Sequence, residues 1–411
     1  MKKAAPVHAP MTQFSSDNNC LVIGGIALTR LAQRIGQTPF YAYDRNLISQ
    51  RVATLRKKLP SELHIHYAMK ANPMPAVVQH LAGLTDGLDL ASHREMQVAL
   101  DTTMLPKNIS MAGPGKRPQE LAAAIAAGIT INAESFNELE QLAKQSELIG
   151  IPAQVAIRIN PAFELKSSGM KMGGGPKQFG IDEELVPDAL QRIRTLGLNF
   201  VGLHIYSGSQ NLSAESITET QEKVVDLAIR LSTHYPQAMA KLNIGGGFGI
   251  PYFPGEQRLD LDLLGETMSL LCNKVKSQLG STALIIELGR YLVGEAGIYV
   301  TRIVDRKLSR GQVFLVTDGG LNHHLAASGN FGQIIRKNYP VAIGNKITDE
   351  QPEIASVVGP LCTPLDLLAD KMQLSKAEIG DLVVIYQSGA YGLSASPGRF
   401  LSQPEAVEVL V

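Results

Sequence analysis

The sequence predicts an α/β protein in which a (β/α)8 TIM barrel is followed by a C-terminal β domain. Eight short β-prone runs alternate with segments of helical period over roughly 220 residues, which is close to the usual length of such a barrel. After about residue 295 the helical period disappears, and β-prone runs joined by Gly and Pro turns replace it. A Rossmann-like winding would require a Gly-rich turn after the first strand, and the sequence has none there.

The spacing of apolar residues defines the elements of the barrel. Ile48, Val52, Leu55 and Leu59 recur at helical spacing and predict a helix before the first barrel strand. The eight predicted strands are 64–69, 87–91, 108–112, 129–133, 154–160, 200–206, 241–244 and 283–288. Helical segments predicted between them include 118–127, 135–148, 183–196, 214–231 and 261–279.

Three regions follow from these patterns. We expect residues 1–34 to form an N-terminal segment that contributes to the β domain, 35–293 to form the barrel, and 294–411 to form the C-terminal β domain. The stretch 21–28 is β-prone and is expected to pair into the β domain. Residues 173–176, Gly-Gly-Gly-Pro, are expected to form a flexible loop after the fifth strand. Strand-like runs in the last region are 298–304, 313–316, 354–358 and 382–386.

Composition excludes several classes of partner. Lys+Arg and Asp+Glu number 38 each in the 411 residues, so no net field attracts nucleic acid or an anionic membrane. No apolar run reaches membrane-spanning length. The three cysteines are widely spaced and form no CxxC motif, which indicates a reducing compartment. Residues 1–16 lack the apolar core of a signal peptide, and we therefore expect a cytoplasmic protein.

Lys70 ends the first predicted strand, in the stretch His66-Tyr67-Ala68-Met69-Lys70-Ala71-Asn72-Pro73. Such a lysine is either a solvated amine or an amine held in a pocket, where desolvation lets it bond to an aldehyde cofactor. Catalytic residues of TIM barrels come from the C-terminal ends of the strands and the loops that follow. The residues predicted at this rim are Lys70, Asp89, Arg158, His204, Tyr206, Ser209, Gly245, Gly246, Gly247, Glu287 and Arg290.

The ends of strands seven and eight carry a glycine triplet and an acidic residue. Gly245-Gly246-Gly247 is either an ordinary tight turn or a nest of N–H groups for a phosphate, and its position favours the phosphate. Arg290 is close enough in sequence to bind the same phosphate. Glu287 is either the ion-pair partner of Arg290 or a carboxylate that keeps a heteroaromatic nitrogen protonated. An amine, a phosphate nest and a carboxylate on one rim match the three handles of pyridoxal 5'-phosphate.

Two residues of the β domain stand in unusual surroundings. Cys362 follows Val357-Val358-Gly359-Pro360-Leu361, and taken alone it is more often a small buried apolar residue than a reactive thiol. Tyr391 stands in Ser388-Gly389-Ala390-Tyr391-Gly392, and taken alone it is a packing residue.

These residues belong to a series of motifs that carries a family resemblance. The chain contains, in order, HYAMKANP, INAESFNELE, VAIRINP, KQFGID, GLHIYSGSQ, LNIGGGFG, ELGRYLV, VVGPLCTPLD and GDLVVIYQSGAYG. Over about residues 35 to 410 it resembles the alanine-racemase-fold (fold type III) decarboxylases, which include diaminopimelate and eukaryotic-type ornithine decarboxylases. The resemblance is greatest to exopolysaccharide (exosortase)-associated pyridoxal-dependent members. It implies a barrel with pyridoxal 5'-phosphate and a head-to-tail homodimer with two active sites at the interface.

The resemblance also implies a role for each matching residue. Lys70 would bond to the cofactor, Glu287 would hold the pyridine nitrogen, and Cys362 would donate a proton in the partner subunit's site. The positions implied as phosphate contacts are Ser209, Gly245, Gly246, Gly247, Arg290 and Tyr391. Further positions implied around the cofactor or the interface are Asp89, Arg158, His204, Gly289 and Asp366. Positions implied around the amino-acid substrate are Arg290, Asn322, His323, Thr363, Asp366 and Tyr391.

The sequence departs from the family pattern mainly around the substrate. Tyr206 stands where the family places a histidine against the cofactor ring, and Leu288-Gly289 stands where the family has Pro-Gly. The family's Arg-Pro and tyrosine after Asp-x-Gly are absent, and the chain has Asn322-His323-His324 in that region. Thr363 replaces the acidic residue that faces a distal amine of the substrate, which removes a contact typically worth about 1.5–3 kcal/mol.

The function implied is decarboxylation of an amino acid at its α-carbon, in the manner of diaminopimelate decarboxylase. Alternatives are a decarboxylase of another amino acid or of an aminoacyl group tethered to a carrier protein in a biosynthetic cluster. An amino-acid racemase would use Lys70 with a tyrosine, and racemases of this fold usually place an arginine against the ring nitrogen. A non-catalytic cofactor-binding regulator is the last alternative, and the presence of both Lys70 and Cys362 argues against it.

Overall fold

The computed structural model describes residues 7–163, 170–171, 174–235, 237–348 and 351–411. The loop predicted at 173–176 is described from residue 174 onward, and Gly173 lies outside the described residues. The chain divides into two units, one of Met1–Ser49, Pro251–Gln257 and Leu292–Val411, and one of Gln50–Ile250 and Arg258–Tyr291. No helix in the described part of the chain has both the length and the apolarity to cross a bilayer.

Short elements open the chain. They are β1 (Ser16–Asp17), β2 (Cys20–Ile23), β3 (Ile26–Ala27), α1 (Leu28–Ile35), β4 (Phe40–Tyr43) and α2 (Arg45–Lys58). The first three strands form an antiparallel sheet of their own, so the stretch 21–28 does not pair with the strands of the β domain as expected. It joins the β domain through one backbone hydrogen bond, from the Leu21 N–H to the Gly344 carbonyl (2.7 Å), and through packing, because Leu21 and Ile23 lie in one apolar core with Ile298 and Val300.

The second unit contains the alternating elements of the barrel. The strands and helices are β5 (His64–Ala68), α3 (Pro75–Ala82), β6 (Gly87–Leu90), α4 (His93–Leu100), β7 (Ile109–Met111), α5 (Pro118–Ala127), β8 (Thr130–Ala133), α6 (Phe136–Ile149), β9 (Gln154–Asn160), β10 (Met170–Lys171), β11 (Ile181–Asp182), α7 (Val186–Thr195), β12 (Asn199–Ile205), β13 (Gly208–Ser209), α8 (Ala214–Ser232), β14 (Lys241–Gly246), α9 (Leu261–Leu279), β15 (Ala283–Leu288) and α10 (Arg290–Val293).

Eight parallel strands close this unit into a barrel. They pair in the order β5, β6, β7, β8, β9, β12, β14 and β15, and β15 pairs with β5 to complete the ring. The strands are almost entirely buried, as expected when helices cover the outside and side chains fill the inside. All eight predicted strands are present, and the predicted barrel is confirmed. β11 is an addition outside the ring of eight, and it pairs in parallel with the end of β9.

The helices begin where polar caps interrupt the apolar pattern. Ser92, Ser135, Ser213 and Asp260 each accept a hydrogen bond from a backbone N–H of the first turn, in α4, α6, α8 and α9 respectively. These bonds satisfy N–H groups that have no partner within the helix. The caps fix where each helix starts, and they therefore fix the length of the loop at the C-terminal end of the preceding strand.

The β domain is built on one large sheet. Its strands in the last part of the chain are β16 (Gly297–Ser309), β17 (Gln312–Thr317), β18 (Val341–Ile343), β19 (Glu353–Val358), β20 (Leu367–Leu374), β21 (Leu382–Ile385) and β22 (Val407–Leu410). They pair in the order β18-β21-β16-β17-β19-β20, and β4 joins both β16 and β22. The separate β domain is thus present.

The units differ from the predicted boundaries at three segments, the smallest being residues 292–293, which group with the β domain. Residues 35–49 group with the β domain because β4 pairs with β16 along its whole length, for example Tyr41 with Tyr299. Residues 251–257 do so because the Tyr252 ring packs 4.7 Å from that of Tyr339 and the Gln387 side chain donates to the Pro251 carbonyl. Neither contact has a local sequence signal, since both join residues far apart in the chain.

Candidate active site

Lys70 lies at the C-terminal end of the first barrel strand. β5 ends at Ala68, and the next three residues make a single turn of 3-10 helix that is closed by a hydrogen bond from the Asn72 N–H to the Met69 carbonyl. The neighbours Met69 and Ala71 are buried, whereas the Lys70 side chain is 37% exposed. The turn therefore anchors the backbone and leaves the amine at the open end of the barrel.

A buried carboxylate faces this amine. The Lys70 Nζ atom lies 3.4 Å from Oε1 of Glu287, and Nε2 of His204 lies 3.1 Å from Oε2 of the same residue. Burial on its own raises the pKa of Glu287, but the nearby Lys70 ammonium and the hydrogen bond from His204 hold that pKa well below its usual range. Glu287 is therefore ionised, and it can keep a positive charge on a group placed beside it.

Tyr206 supplies an aromatic surface beside the amine. The Lys70 Nζ atom lies 4.9 Å from the centre of the Tyr206 ring, within the range of a cation–π contact. The tyrosine is buried, and it follows β12, the strand that also carries His204. A flat ring placed against Tyr206 would be held by stacking rather than by a charged imidazole.

The glycine triplet brings two strand ends together. A Cβ atom on Gly246 would lie 2.2 Å from the carbonyl oxygen of Glu287, and one on Gly247 would lie 2.6 Å from that of Gly208. Gly247 also has a φ of +74°, which side-chain-bearing residues rarely adopt. The triplet thus lies between the Glu287 strand and Ser209. The Gly245 N–H donates to the Asn243 side chain, so it is already bonded.

Gly289 and Arg290 follow the Glu287 strand. A Cβ atom on Gly289 would lie 2.9 Å from Cβ of Ala71 and 3.1 Å from the Ala68 carbonyl oxygen, on either side of Lys70. Glycine is therefore required for β15 to approach the lysine turn. Arg290 starts the short helix α10, directly after this contact.

Asp89 and Arg158 belong to polar networks between neighbouring strands. Oδ1 of Asp89 accepts a hydrogen bond from the Ser110 hydroxyl (2.6 Å). The same oxygen lies 3.1 Å from Nδ1 of His66. Nη1 of Arg158 donates to Glu134 (2.9 Å), whose other carboxylate oxygen accepts from the Gly180 N–H. Oδ2 of Asp89 has no hydrogen-bond partner among the described residues, which leaves one buried acceptor for a ligand.

Sequence reasoning missed three residues of this region. Glu134 fixes Arg158, and His66 pairs with Asp89. Burial raises the pKa of Glu95, whose carboxylate accepts from the Ala91 N–H and lies in the field of Lys70. Glu134 and His66 stand inside quoted motifs, and Ser92-x-x-Glu95 has the spacing of a helix cap, so each had a local signal that was not used.

The candidate residues of the β domain fall into two groups by exposure, one accessible and one buried. Cys362 is exposed, Thr363 is half-buried, and Tyr391 is half-buried with a φ of +52°. Asn322 and His323 are 0% and 1% exposed, and Nε2 of His323 donates to the Pro404 carbonyl.

Asp366 belongs to the buried group as well. It is 3% exposed, and its carboxylate accepts hydrogen bonds from the backbone N–H groups of Leu321 and Leu361. The substrate contacts that the family resemblance implies for Asn322, His323 and Asp366 stay predictions.

Comparison with known proteins agrees with this architecture. Residues 45–294 match the family "Pyridoxal-dependent decarboxylase, pyridoxal binding domain". The chain is 38% identical over 389 residues to the L-glutamyl-[BtrI acyl-carrier protein] decarboxylase of Niallia circulans, covering 93% of this chain and 90% of the relative. It is 33% identical over 394 residues to the diaminopimelate decarboxylase of Aquifex aeolicus, covering 95% and 90%. The crystal structure of diaminopimelate decarboxylase from M. jannaschii in complex with L-lysine superimposes with a TM-score of 0.87 at 26% identity, covering 97% and 93%.

One rim of the closed barrel carries an amine, an ionised carboxylate and a glycine-lined strand end. This combination is typical of a class of enzymes that use pyridoxal phosphate. The chain belongs to the pyridoxal-dependent decarboxylase family. It is a pyridoxal 5'-phosphate-dependent amino-acid decarboxylase, and the predicted cofactor and reaction class are confirmed. The residues present fit this cofactor, because Lys70, Glu287 and Tyr206 provide an amine, a charge and a ring surface within one cluster.

Replacing Glu287 by glutamine should slow turnover by roughly 10²-fold or more, the scale expected for losing one preorganised electrostatic partner. The family resemblance implies that Glu287 faces the pyridine nitrogen, and an amide would place no negative charge there. The measurement is kcat at full cofactor occupancy, with occupancy read from the absorbance of the bound cofactor. Glu140→Gln is the control, since it breaks an exposed pair with Arg192 in the same unit. Wild-type turnover in fully loaded Glu287→Gln protein would contradict the role.

Gly289→Ala should weaken cofactor binding by about tenfold or more, because the added methyl group displaces Ala71 and with it the lysine turn. Gly83→Ala is a matched control: a Cβ atom there would meet only the His80 carbonyl, at 3.6 Å. Cofactor titration of the apo-proteins gives the apparent Kd of each variant. Equal Kd values for the two variants would show that the close approach at Gly289 is not needed.

Proposed function

We propose that this decarboxylase acts on an aminoacyl group tethered to a carrier protein, rather than on a free diamino acid. The observation that carries the proposal is Thr363, which follows Cys362 at the position where the family resemblance implies an acidic residue. The relative that is 38% identical to this chain is named as a decarboxylase of an L-glutamyl group on an acyl-carrier protein. That name supports a substrate of the same kind here.

The chemistry of the substrate agrees with a neutral residue at this position. A diamino acid presents an ammonium at its far end, and a carboxylate beside it is worth about 1.5–3 kcal/mol through a charge-assisted hydrogen bond. An aminoacyl group that loses its α-carboxylate must be attached through another carboxyl. Its far end is then a neutral acyl link. The Thr363 hydroxyl, which accepts from the Leu365 N–H, puts no charge there.

The barrel residues would organise the first half of the reaction. Pyridoxal phosphate, when bound, supplies an aldehyde for the substrate amine and a ring that takes up the electron pair of the broken Cα–carboxylate bond. Lys70 would hold the aldehyde between turnovers, and Glu287 would keep a proton on the ring nitrogen. His204 would orient Glu287 through its hydrogen bond, and Tyr206 would stack on the ring.

A second set of residues would bind the phosphate. Ser209 and the glycine triplet lie side by side, and Arg290 follows the strand that carries Glu287. Tyr391 would add a hydroxyl contact, and its φ of +52° is consistent with a backbone held for function. Asp89 and Arg158 would support the site through their networks, Asp89 with one buried oxygen still available.

We further propose that the enzyme is a homodimer with shared sites. Cys362 would give its thiol proton to Cα after CO2 leaves, in the site of the partner subunit, and the thiolate would regain a proton from water. Its exposure on the described chain suits a group that acts outside its own subunit. The cytoplasmic location expected from cysteine usage stays a prediction.

The substrate proposal predicts that an L-glutamyl group on an acyl-carrier protein is decarboxylated with a kcat/KM at least about tenfold above that of free meso-diaminopimelate. Measuring CO2 release from both substrates tests this. Thr363→Glu should shift the ratio toward the diamino acid, because it restores the charge for a distal ammonium. Efficient turnover of free diaminopimelate by the wild-type protein, with none of the tethered group, would contradict the proposal.

The shared site predicts complementation between inactive variants. Lys70→Ala and Cys362→Ala proteins should each be nearly inactive as homodimers. After mixing, half of the dimers are mixed and carry one intact site, so about a quarter of wild-type activity should return. Mixing Lys70→Ala with Glu287→Gln is the control, since both changes fall in the barrel and leave no intact site. Absence of recovery, with subunit exchange verified by mass, would place both residues in the same subunit's site.

A further inference from the structure

The loop that carries Cys362 is closed by one residue. The Gly359 N–H donates to the backbone carbonyl of Asp366 (3.1 Å), and the Leu361 N–H donates to Oδ2 of its side chain (2.8 Å). Within the loop the Thr363 N–H donates to the Leu361 carbonyl (2.7 Å). Cys362 is left exposed at the tip of a loop whose two ends are tied to Asp366.

The same carboxylate also holds a second segment. Its Oδ1 atom accepts a hydrogen bond from the Leu321 N–H at 2.6 Å. Cβ atoms on Gly320 and Gly359 would lie 2.2 and 2.3 Å from its oxygens, so backbone encloses the carboxylate on both sides. Asp366 therefore fixes residues 359–362 against residues 320–321, far apart in the sequence.

Asp366 joins the two loops through a carboxylate whose burial costs free energy. It is 3% exposed, and it forms no ion pair with a lysine or arginine of the described ranges. Burial raises the pKa of Asp366, and the two backbone hydrogen bonds and the nearby His323 oppose that rise. A buried carboxylate whose hydrogen-bond donors are amide N–H groups costs more than a neutral side chain of the same shape. Its benefit is that each oxygen accepts one N–H, which an amide side chain cannot do.

We propose that Asp366 is a positioning residue that sets the direction from which the Cys362 thiol delivers its proton to Cα. This inference rests on the proposed role of Cys362 as proton donor. The Cα–carboxylate bond breaks, CO2 leaves, and the S–H proton forms the new Cα–H bond on one face. If the loop becomes more mobile, the thiol no longer delivers its proton to a single face of Cα. Solvent then protonates Cα from both faces.

The test is the stereochemistry of the product formed in D2O. Wild-type enzyme should place deuterium at Cα in one configuration, and Asp366→Asn should give a mixture with at least about a fifth of the other. Chiral derivatisation and NMR of the amine measure this, independently of the active fraction. Hydrogen exchange of residues 359–366 in the cofactor-free protein should rise roughly tenfold, since one of two anchoring bonds is lost.

Control variants separate the possible causes. Asp381→Asn changes another buried carboxylate that accepts a backbone N–H, from Glu378, and should leave the stereochemistry intact. Gly359→Ala pushes on the Asp366 carboxylate without altering its charge, and should reproduce the mixture if Asp366→Asn does not fold. A single configuration from both variants overturns the positioning role. A single configuration from Cys362→Ala would instead mean that Cys362 is not the donor, which is a failure of the proposed function.

Discussion

The ionised Glu287 is the constraint on which the barrel site depends. A carboxylate that is 5% exposed is costly unless groups around it compensate the charge. The compensation comes from Lys70 after β5 and His204 in β12, two separate strands of the ring. The closed barrel in the observed register brings Lys70 and His204 next to Glu287. The charge on Glu287 therefore depends on the fold. The same two groups keep Glu287 ionised, as the role that we propose for it toward a ring nitrogen requires.

Close approach of backbone segments is the second requirement. Glu287 can meet Lys70 only if β15 comes near the lysine turn, and Gly289 permits that approach. On the other side Gly246 and Gly247 let the β14 strand end lie against Glu287 and Gly208. The glycines of the rim are therefore explained by packing, apart from the phosphate binding that we propose for them. A glycine in such a place has two reasons to be there, and sequence alone cannot separate them.

Much of the barrel and part of its site could be predicted, because the sequence patterns that indicate them involve residues close together in the chain. The β-prone runs and helical periods gave all eight barrel strands, and Lys70 and Glu287 were recognisable as charged residues ending apolar runs. What could not be predicted is set by contacts between distant residues. β4 belongs to the large sheet because it pairs with β16, and Asp366 accepts hydrogen bonds from Leu321 and Leu361 and so joins two distant loops. Residue type does not reveal such partners.

The arrangement of the Cys362 loop shows how the residue next to the proposed proton donor can differ while the loop is kept. The backbone of residues 359–366 is held by the bonds to Asp366 and by the Thr363 N–H, and none of these bonds uses the side chain of residue 363. The Thr363 hydroxyl adds one bond, from the Leu365 N–H at 3.3 Å, and a carboxylate at that position would accept the same bond. In our proposal the donor and the specificity residue are neighbours in sequence, but Asp366 rather than residue 363 anchors the loop. One substitution at residue 363 would then exchange a contact with a distal ammonium for a contact with a neutral acyl link, without moving the thiol.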